Sequence, residues 1–180
     1  GFVGQATAAK GIDAFLSLAA DMKARHGDRI AFHLVGRAMP GADLSRFAPL
    51  EERPETTHLP RGEFIRRLAA LHYVLLPFQP GYYDLAASGA LIDAVTWLKP
   101  VIATQAGFVG DFFADAGDIG YLCATGDEMR ETLEAVLVHP DAERYGAQVS
   151  ALRAERERRT PAALAATYRG IIHAHFPWLA

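Results

Sequence analysis

The stretch YYDLAASGALIDAVTWLKPVIAT, Tyr82–Thr104, decides how this chain is read. Leu91, Val95 and Leu98 recur at helical spacing and Pro100 ends the run, which predicts a helix. Val101-Ile102-Ala103-Thr104 follows at once as a short run with the character of a buried strand. A helix that feeds straight into a buried strand is the repeating unit of a parallel sheet. One residue does not fit a routine core. Asp93 sits inside the helix among apolar neighbours, one turn after Ser88-Gly89. It either faces solvent or waits for a ligand.

The same alternation extends in both directions. Upstream, Phe2-Val3 reads as a strand, and Ile12, Phe15, Leu16, Ala19 and Met22 share one helical face. Ile30–Val35 reads as a strand ended by Gly36. A polar connection holding Pro40-Gly41 and Glu51–Pro54 leads to Thr57-His58-Leu59, read as a short strand. Phe64, Leu68 and Leu71 mark a helix, and Tyr73–Leu76 a strand closed by Pro77. Downstream, Gly120–Cys123 reads as a strand. Thr125 and Glu128 have capping-box spacing before a helix carrying Met129, Leu133 and Val136. Beyond Pro140 only helix is expected, with Thr160-Pro161 opening the last one. About six such units predict an α/β fold with a doubly wound open parallel sheet between helical layers, three layers in all, and residues 140–180 as a helical tail. No domain boundary interrupts residues 1–180, so one domain is expected.

Composition narrows the function. At 51% hydrophobic and 22% charged, 180 residues can build one sizeable core. A formal net charge of −3 supplies no general basic field for nucleic acid. The single cysteine, Cys123, excludes an internal disulfide and fits a reducing compartment. No apolar run is long enough to cross a bilayer. The seven histidines form no metal-ligand pattern, and no nucleophile elbow appears. The run Arg153–Arg159 mixes signs and reads as a solvated helix face. The opening Phe2-Val3-Gly4 already resembles a strand end, so the chain is expected to be a piece of a longer protein.

In open parallel sheets ligands bind beyond the carboxyl ends of the strands. The loop after the first strand, Gly4-Gln5-Ala6-Thr7-Ala8-Ala9-Lys10-Gly11, combines small residues with one cation at a helix start. Its glycine spacing is neither a dinucleotide fingerprint nor a P-loop. The loop after Leu76 reaches Ser88, a good N-cap, and Gly89, which leaves first-turn amides unobstructed. With the helix dipole, that is an anion site suited to phosphate. Asp93 lies on the same face one turn deeper, where a carboxylate can accept hydrogen bonds from ribose hydroxyls. Each feature also has a plain reading: a solvated turn lysine, an ordinary helix start, a solvated acid.

Taken in order, the Gly-x-Lys-Gly start, LVG, HLPRGEFIRRLAALHYVLLPF, SGALIDAVTWLKPVIAT and QAGFVGDFF resemble the C-terminal, donor-binding domain of GT-B glycosyltransferases, the retaining group-1 (family 4) enzymes above all. The resemblance covers nearly the whole chain, and LIDAVTWLKPVIATQAGFVGD is its most specific part. It implies a Rossmann-like donor domain that faces an acceptor domain not contained in this chain. The reaction it implies is transfer of a sugar from a nucleotide-diphosphate sugar to a glycan or lipid-linked acceptor, as in polysaccharide biosynthesis. It implies no cofactor and no metal, little turnover by this domain alone, and a cytoplasmic enzyme that can associate peripherally with the inner membrane face.

Position by position, the resemblance makes Lys10 a diphosphate contact and catalytic cation, with Gly4 and Gln5 beside it. Ser88 and Gly89 match the backbone at the diphosphate, and Asp93 matches the acid that holds the ribose. Gln5 stands where the family has an arginine. The family's sugar-contacting glutamate falls on Leu85, so the neighbouring Asp84, with Tyr83, is the expected substitute. Arg61 lies where the base or a phosphate would pass, and Asp111 is expected at a helix start. Two other readings stay open: a sugar-nucleotide epimerase of the same fold, and a non-catalytic flavodoxin-like binding domain.

Overall fold

The computed structural model describes every residue except Pro80, Tyr83, Leu85, Pro177, Leu179 and Ala180. Among these described residues there are five strands: β1 (Phe2–Ala6), β2 (Leu34–Ala38), β3 (Val74–Leu76), β4 (Val101–Thr104) and β5 (Gly120–Cys123). Seven helices accompany them: α1 (Ile12–His26), α2 (Arg61–Ala70), α3 (Gly89–Thr96), α4 (Gly107–Ala116), α5 (Gly126–Val138), α6 (Ala142–Arg158) and α7 (Pro161–His175). All pairing is parallel. β1 pairs with β2, and β3, β4 and β5 form a second ladder in that order. The Leu75 amide donates to the Gly1 carbonyl at 2.8 Å and joins the two ladders side by side. The order across the molecule is therefore β2-β1-β3-β4-β5, and it reverses between β1 and β3.

Alternation along the strands sorts the core into two faces. Phe2, Ala6, Leu34, Ala38, Leu75 and Ile102 point to the side covered by α1 and α5, meeting Phe15, Met22, Met129 and Leu133. Val3, Val35, Val74, Leu76, Val101 and Ala103 point to the other side, where Leu68 of α2, Leu91 and Val95 of α3, Val109 of α4 and Leu152 of α6 cover them. Strands buried on both faces carry near-continuous apolar runs, which is why β3 and β4 are legible at once. Helix ends follow side-chain chemistry. Thr125 Oγ1 accepts from the Glu128 amide at 3.1 Å, and Thr160 Oγ1 from the Ala163 amide at 3.3 Å.

Five expectations need correction. The first strand does not end at Val3: Gly4, Gln5 and Ala6 belong to it and not to the loop, because they pair in register with Gly36, Arg37 and Ala38. The second strand begins at Leu34, not Ile30, and runs through Gly36 to Ala38. Gly36 does not end it, because here glycine permits close strand approach: a Cβ on Gly36 would lie 1.8 Å from the Gly4 carbonyl oxygen. Thr57–Leu59 forms no strand. Thr57 and His58 are exposed and have no apolar face to bury, and one bond, from the Ala38 amide to the Glu55 carbonyl (2.8 Å), links the segment to β2. The α3 helix stops at Thr96. Leu98 takes a left-handed φ of 55°, and the Lys99 amide returns to the Ala94 carbonyl at 2.8 Å to close the helix end. Asp111 is not a helix-start residue, since α4 begins four positions earlier at Gly107 and Asp111 is exposed in its second turn. At the far end, α7 contributes no buried residue, and Tyr168, Ile171 and Ile172 stand exposed on it.

Candidate functional site

Two loops meet where the strand order reverses. The first leaves β1, turns through Ala8–Lys10 under a Thr7 cap, and enters α1 at Gly11. The second leaves β3 at Pro77. They touch closely: the Gln79 amide donates to the Ala9 carbonyl at 3.3 Å, and a Cβ on Gly11 would lie 1.6 Å from the Pro77 carbonyl oxygen. Gly11 also has φ of 78°, so this junction needs glycine twice over. Thr104 of β4 fastens the second loop from the other side, its hydroxyl reaching the Phe78 carbonyl at 2.9 Å. The crevice floor is thus tied down on both sides.

Above that floor stands Lys10. It is partly buried and forms no ion pair among the described residues, and burial pushes its ammonium pKa down. Its Nζ lies 3.4 Å from where a Cβ on Gly4 would be, so Gly4 makes room for the cation. An unpaired, partly desolvated ammonium is costly unless an anion completes it. Gln5 is neutral, and its amide goes to Met39 Sδ at 2.8 Å.

Across the crevice, α3 opens with a built cap. Ser88 is fully buried, and its hydroxyl accepts from the Leu91 amide at 3.3 Å. No intrahelical carbonyl reaches the amides of Gly89 and Ala90. Gly89 is exposed, and among the described residues nothing lies within 4 Å of where its Cβ would be. One turn on, Asp93 is partly buried, and its carboxylate makes no hydrogen bond or ion pair among the described residues. Burial pushes its pKa up, and the charge of Arg61 at the start of α2 works against that rise. Arg61 itself is exposed, with its guanidinium 5.8 Å from the Phe64 ring centre.

Asp84 is exposed, and its Oδ1 accepts from the Gly107 amide at 3.4 Å at the start of α4. Gly107 has no room for a side chain without crowding, since its Cβ would lie 3.0 Å from Asp84 Cα. Tyr83 and Leu85 lie outside the described residues. The structure therefore brings Gly4, Lys10, Ser88, Gly89, Asp93 and Arg61 to the carboxyl side of the sheet and places Asp84 against α4. Among the described residues, no three His, Cys, Asp or Glu side chains gather as a metal site would need. Two cavities lie elsewhere: one of about 610 Å³ beside the 42–53 loop, and one of about 670 Å³ at the opposite, amino ends of the strands, against His33, His72 and Tyr145.

Sequence reasoning missed Arg37. It pairs with Gln5 in the β1–β2 ladder, and its buried Nε has no hydrogen-bond partner among the described residues. Ending the strand at Gly36 hid it in a loop. Carrying the two-residue alternation one step further would have placed it on the α2–α3 face.

No family model and no curated protein sequence matches this chain. Solved structures do. WaaG, a glycosyltransferase involved in lipopolysaccharide biosynthesis, superposes with a TM-score of 0.65 at 18% identity over 95% of this chain. The C-terminal domain of a group 1 glycosyl transferase family protein, LpcC, from Francisella tularensis superposes with a TM-score of 0.60, also at 18% identity, over 88% of this chain and 84% of that domain. The fold is that of a GT-B glycosyltransferase C-terminal domain. The chain spans 46% of the WaaG chain, about half its length. Within the GT-B C-terminal fold, the β1–β3 reversal and its two loops form the crevice expected from strand order.

Proposed function

We propose that this chain is the donor-binding half of a retaining glycosyltransferase that draws on a nucleoside-diphosphate sugar. One observation carries the reading. A partly buried cation, Lys10, and a partly buried acid, Asp93, make no hydrogen bond or ion pair among the described residues, and both stand at the carboxyl side of the sheet where α3 begins. A diphosphate beside Lys10 and a ribose at Asp93 would complete both groups.

Glycosyl transfer leaves negative charge on the departing diphosphate. Lys10 and the first-turn amides of Gly89 and Ala90, which have no intrahelical carbonyl, would stabilise departure electrostatically. Asp93 accepts from the ribose hydroxyls and sets the register of the nucleotide. Asp84, with Tyr83 beside it in sequence, lies on the sugar side of the diphosphate. Arg61 approaches from the base side. The acceptor, a glycan or lipid-linked glycan, is held by a second domain, so this domain alone binds nucleotide and turns over little. The setting is cytoplasmic, at the inner membrane face. The likeness to WaaG and to the group 1 C-terminal domain supports the class of reaction.

Calorimetric titration of UDP, GDP and ADP tests the reading. One of the three should bind. Lys10→Met should weaken it about 10- to 100-fold with little effect on the free nucleoside, and Asp93→Ala should weaken nucleoside and nucleotide alike. Binding should also fall as pH rises through the lowered Lys10 pKa, because the cation is then lost. Absence of binding by all three nucleotides, or unchanged affinity in both variants, refutes it.

A further inference from the structure

We propose that Arg37 is a second cationic contact of this crevice and that its guanidinium takes a phosphate of the bound nucleotide. The inference rests on the donor-binding reading above and assigns one more residue to that site.

Strand geometry places the side chain. Arg37 stands beside Gln5 in the parallel register, as Val35 stands beside Val3. Val3 and Val35 point into the core under α2 and α3, whereas Ala6 and Ala38 point to the α1–α5 side. Two-residue alternation therefore turns Gln5 and Arg37 toward α2 and α3, at the carboxyl ends of their strands. Those helices bring Arg61, Gly89 and Asp93 to the same edge.

Its surroundings leave it unfinished. Arg37 is half-buried, and its Nε has no hydrogen-bond acceptor among the described residues. No ion pair involves Arg37 among the described residues, although Arg25, Arg67, Arg144 and Arg159 each hold a carboxylate. Asp93, the acid on the same edge, is not within ion-pair distance. Gln5, its cross-strand neighbour, is neutral and already bonded to Met39. Among the described residues the Arg37 Nε lacks an acceptor, and the half-buried guanidinium lacks a counter-charge. A ribose hydroxyl supplies only the first, whereas a phosphate oxygen supplies both, and the planar fork can take two phosphate oxygens at once. Lys10 is a point charge on a flexible stem, so Arg37 adds orientation that Lys10 cannot give.

The experiment uses whichever of UDP, GDP and ADP binds the unmodified chain, together with its monophosphate and free nucleoside. Arg37→Gln should weaken the diphosphate about 10- to 100-fold and leave the nucleoside within about twofold. Arg37→Lys should recover part of the loss, because it restores charge but not the fork. A readout on the unmodified protein guards against a variant that fails to fold. In nitrogen-15 NMR the Arg37 Nε–H signal should move on adding the diphosphate and stay in place with the nucleoside. Equal losses across nucleoside, monophosphate and diphosphate would overturn the assignment, as would unchanged diphosphate affinity in Arg37→Gln or an unmoved signal. These results leave the donor-binding reading standing. If none of the three diphosphates binds the unmodified chain, that reading and this one fall together.

Discussion

Replacing Gly11 by alanine is the sharpest test of the crevice. Its added Cβ would lie 1.6 Å from the Pro77 carbonyl oxygen, about half of a normal contact. Relief requires the two loops to part by roughly 1.5 Å, enough to break the 3.3 Å bond from Gln79 to Ala9. Three costs follow. The left-handed φ of 78° costs a non-glycine residue about 1 kcal/mol. The lost bond costs about 1 kcal/mol, and forced separation of packed loops about 1–3 kcal/mol. Together they come to about 3–5 kcal/mol, a large share of a typical domain's stability. Urea unfolding should register this as a midpoint lowered by about 2 M with an unchanged slope. Gly41→Ala is the matched control. Gly41 has the same φ of 78° but nothing within 4 Å of its Cβ, so only the conformational cost applies. If Gly11→Ala is no more destabilising than Gly41→Ala, the loops do not meet as described and the crevice floor is wrong.

The remaining predictions concern the crevice acid and two caps. Asp93 has a raised pKa in the fold, so the folded chain holds its proton at pH values where the unfolded chain has released it. Stability should therefore fall as pH rises from its ordinary value of 3.8 through the raised one, and Asp93→Asn should remove that slope while weakening nucleotide about 10- to 100-fold. Ser88→Ala should cost about 1 kcal/mol, a drop of about 2–4 °C in Tm, and also weaken the diphosphate, because the cap fixes the amides that face it. Thr125→Ala should cost about the same in calorimetric Tm but leave nucleotide affinity unchanged, since α5 opens away from the crevice edge formed by α2 and α3.

Much of this molecule could be read from its sequence, and the parts that could not share a cause. β3, β4, β5 and helices α1, α5 and α7 announce themselves through apolar runs, helical spacing and capping residues, all of which are local signals. The errors fall where a distant segment decides. Gly36 reads locally as a strand end, and only Gly4 across the ladder makes it a mid-strand residue. Thr57–Leu59 has strand-like residues but no neighbour that would bury them. Leu98 fits the helical period, yet the return of Lys99 to Ala94 ends the helix before it. The site follows the same pattern. Lys10, Ser88, Gly89 and Asp93 were visible as residue types at loop ends. Arg37 was not, because its place depends on how β2 registers against β1. The meeting of Asp84 with the start of α4 was hidden too, since it joins positions 84 and 107 through space.

The pairing of Gly11 with Pro77 also bears on how the molecule comes into being. The two lips of the crevice belong to segments far apart along the chain, and β1 reaches β3 only after the whole intervening unit of β2 and α2 has been laid down. Closure of so long a loop is slow compared with forming local helices. In a refolding experiment followed by circular dichroism and by a fluorescent nucleotide, helical signal should return first and ligand capture only with the final phase, so recovery of the ligand signal would time the docking of the two ladders.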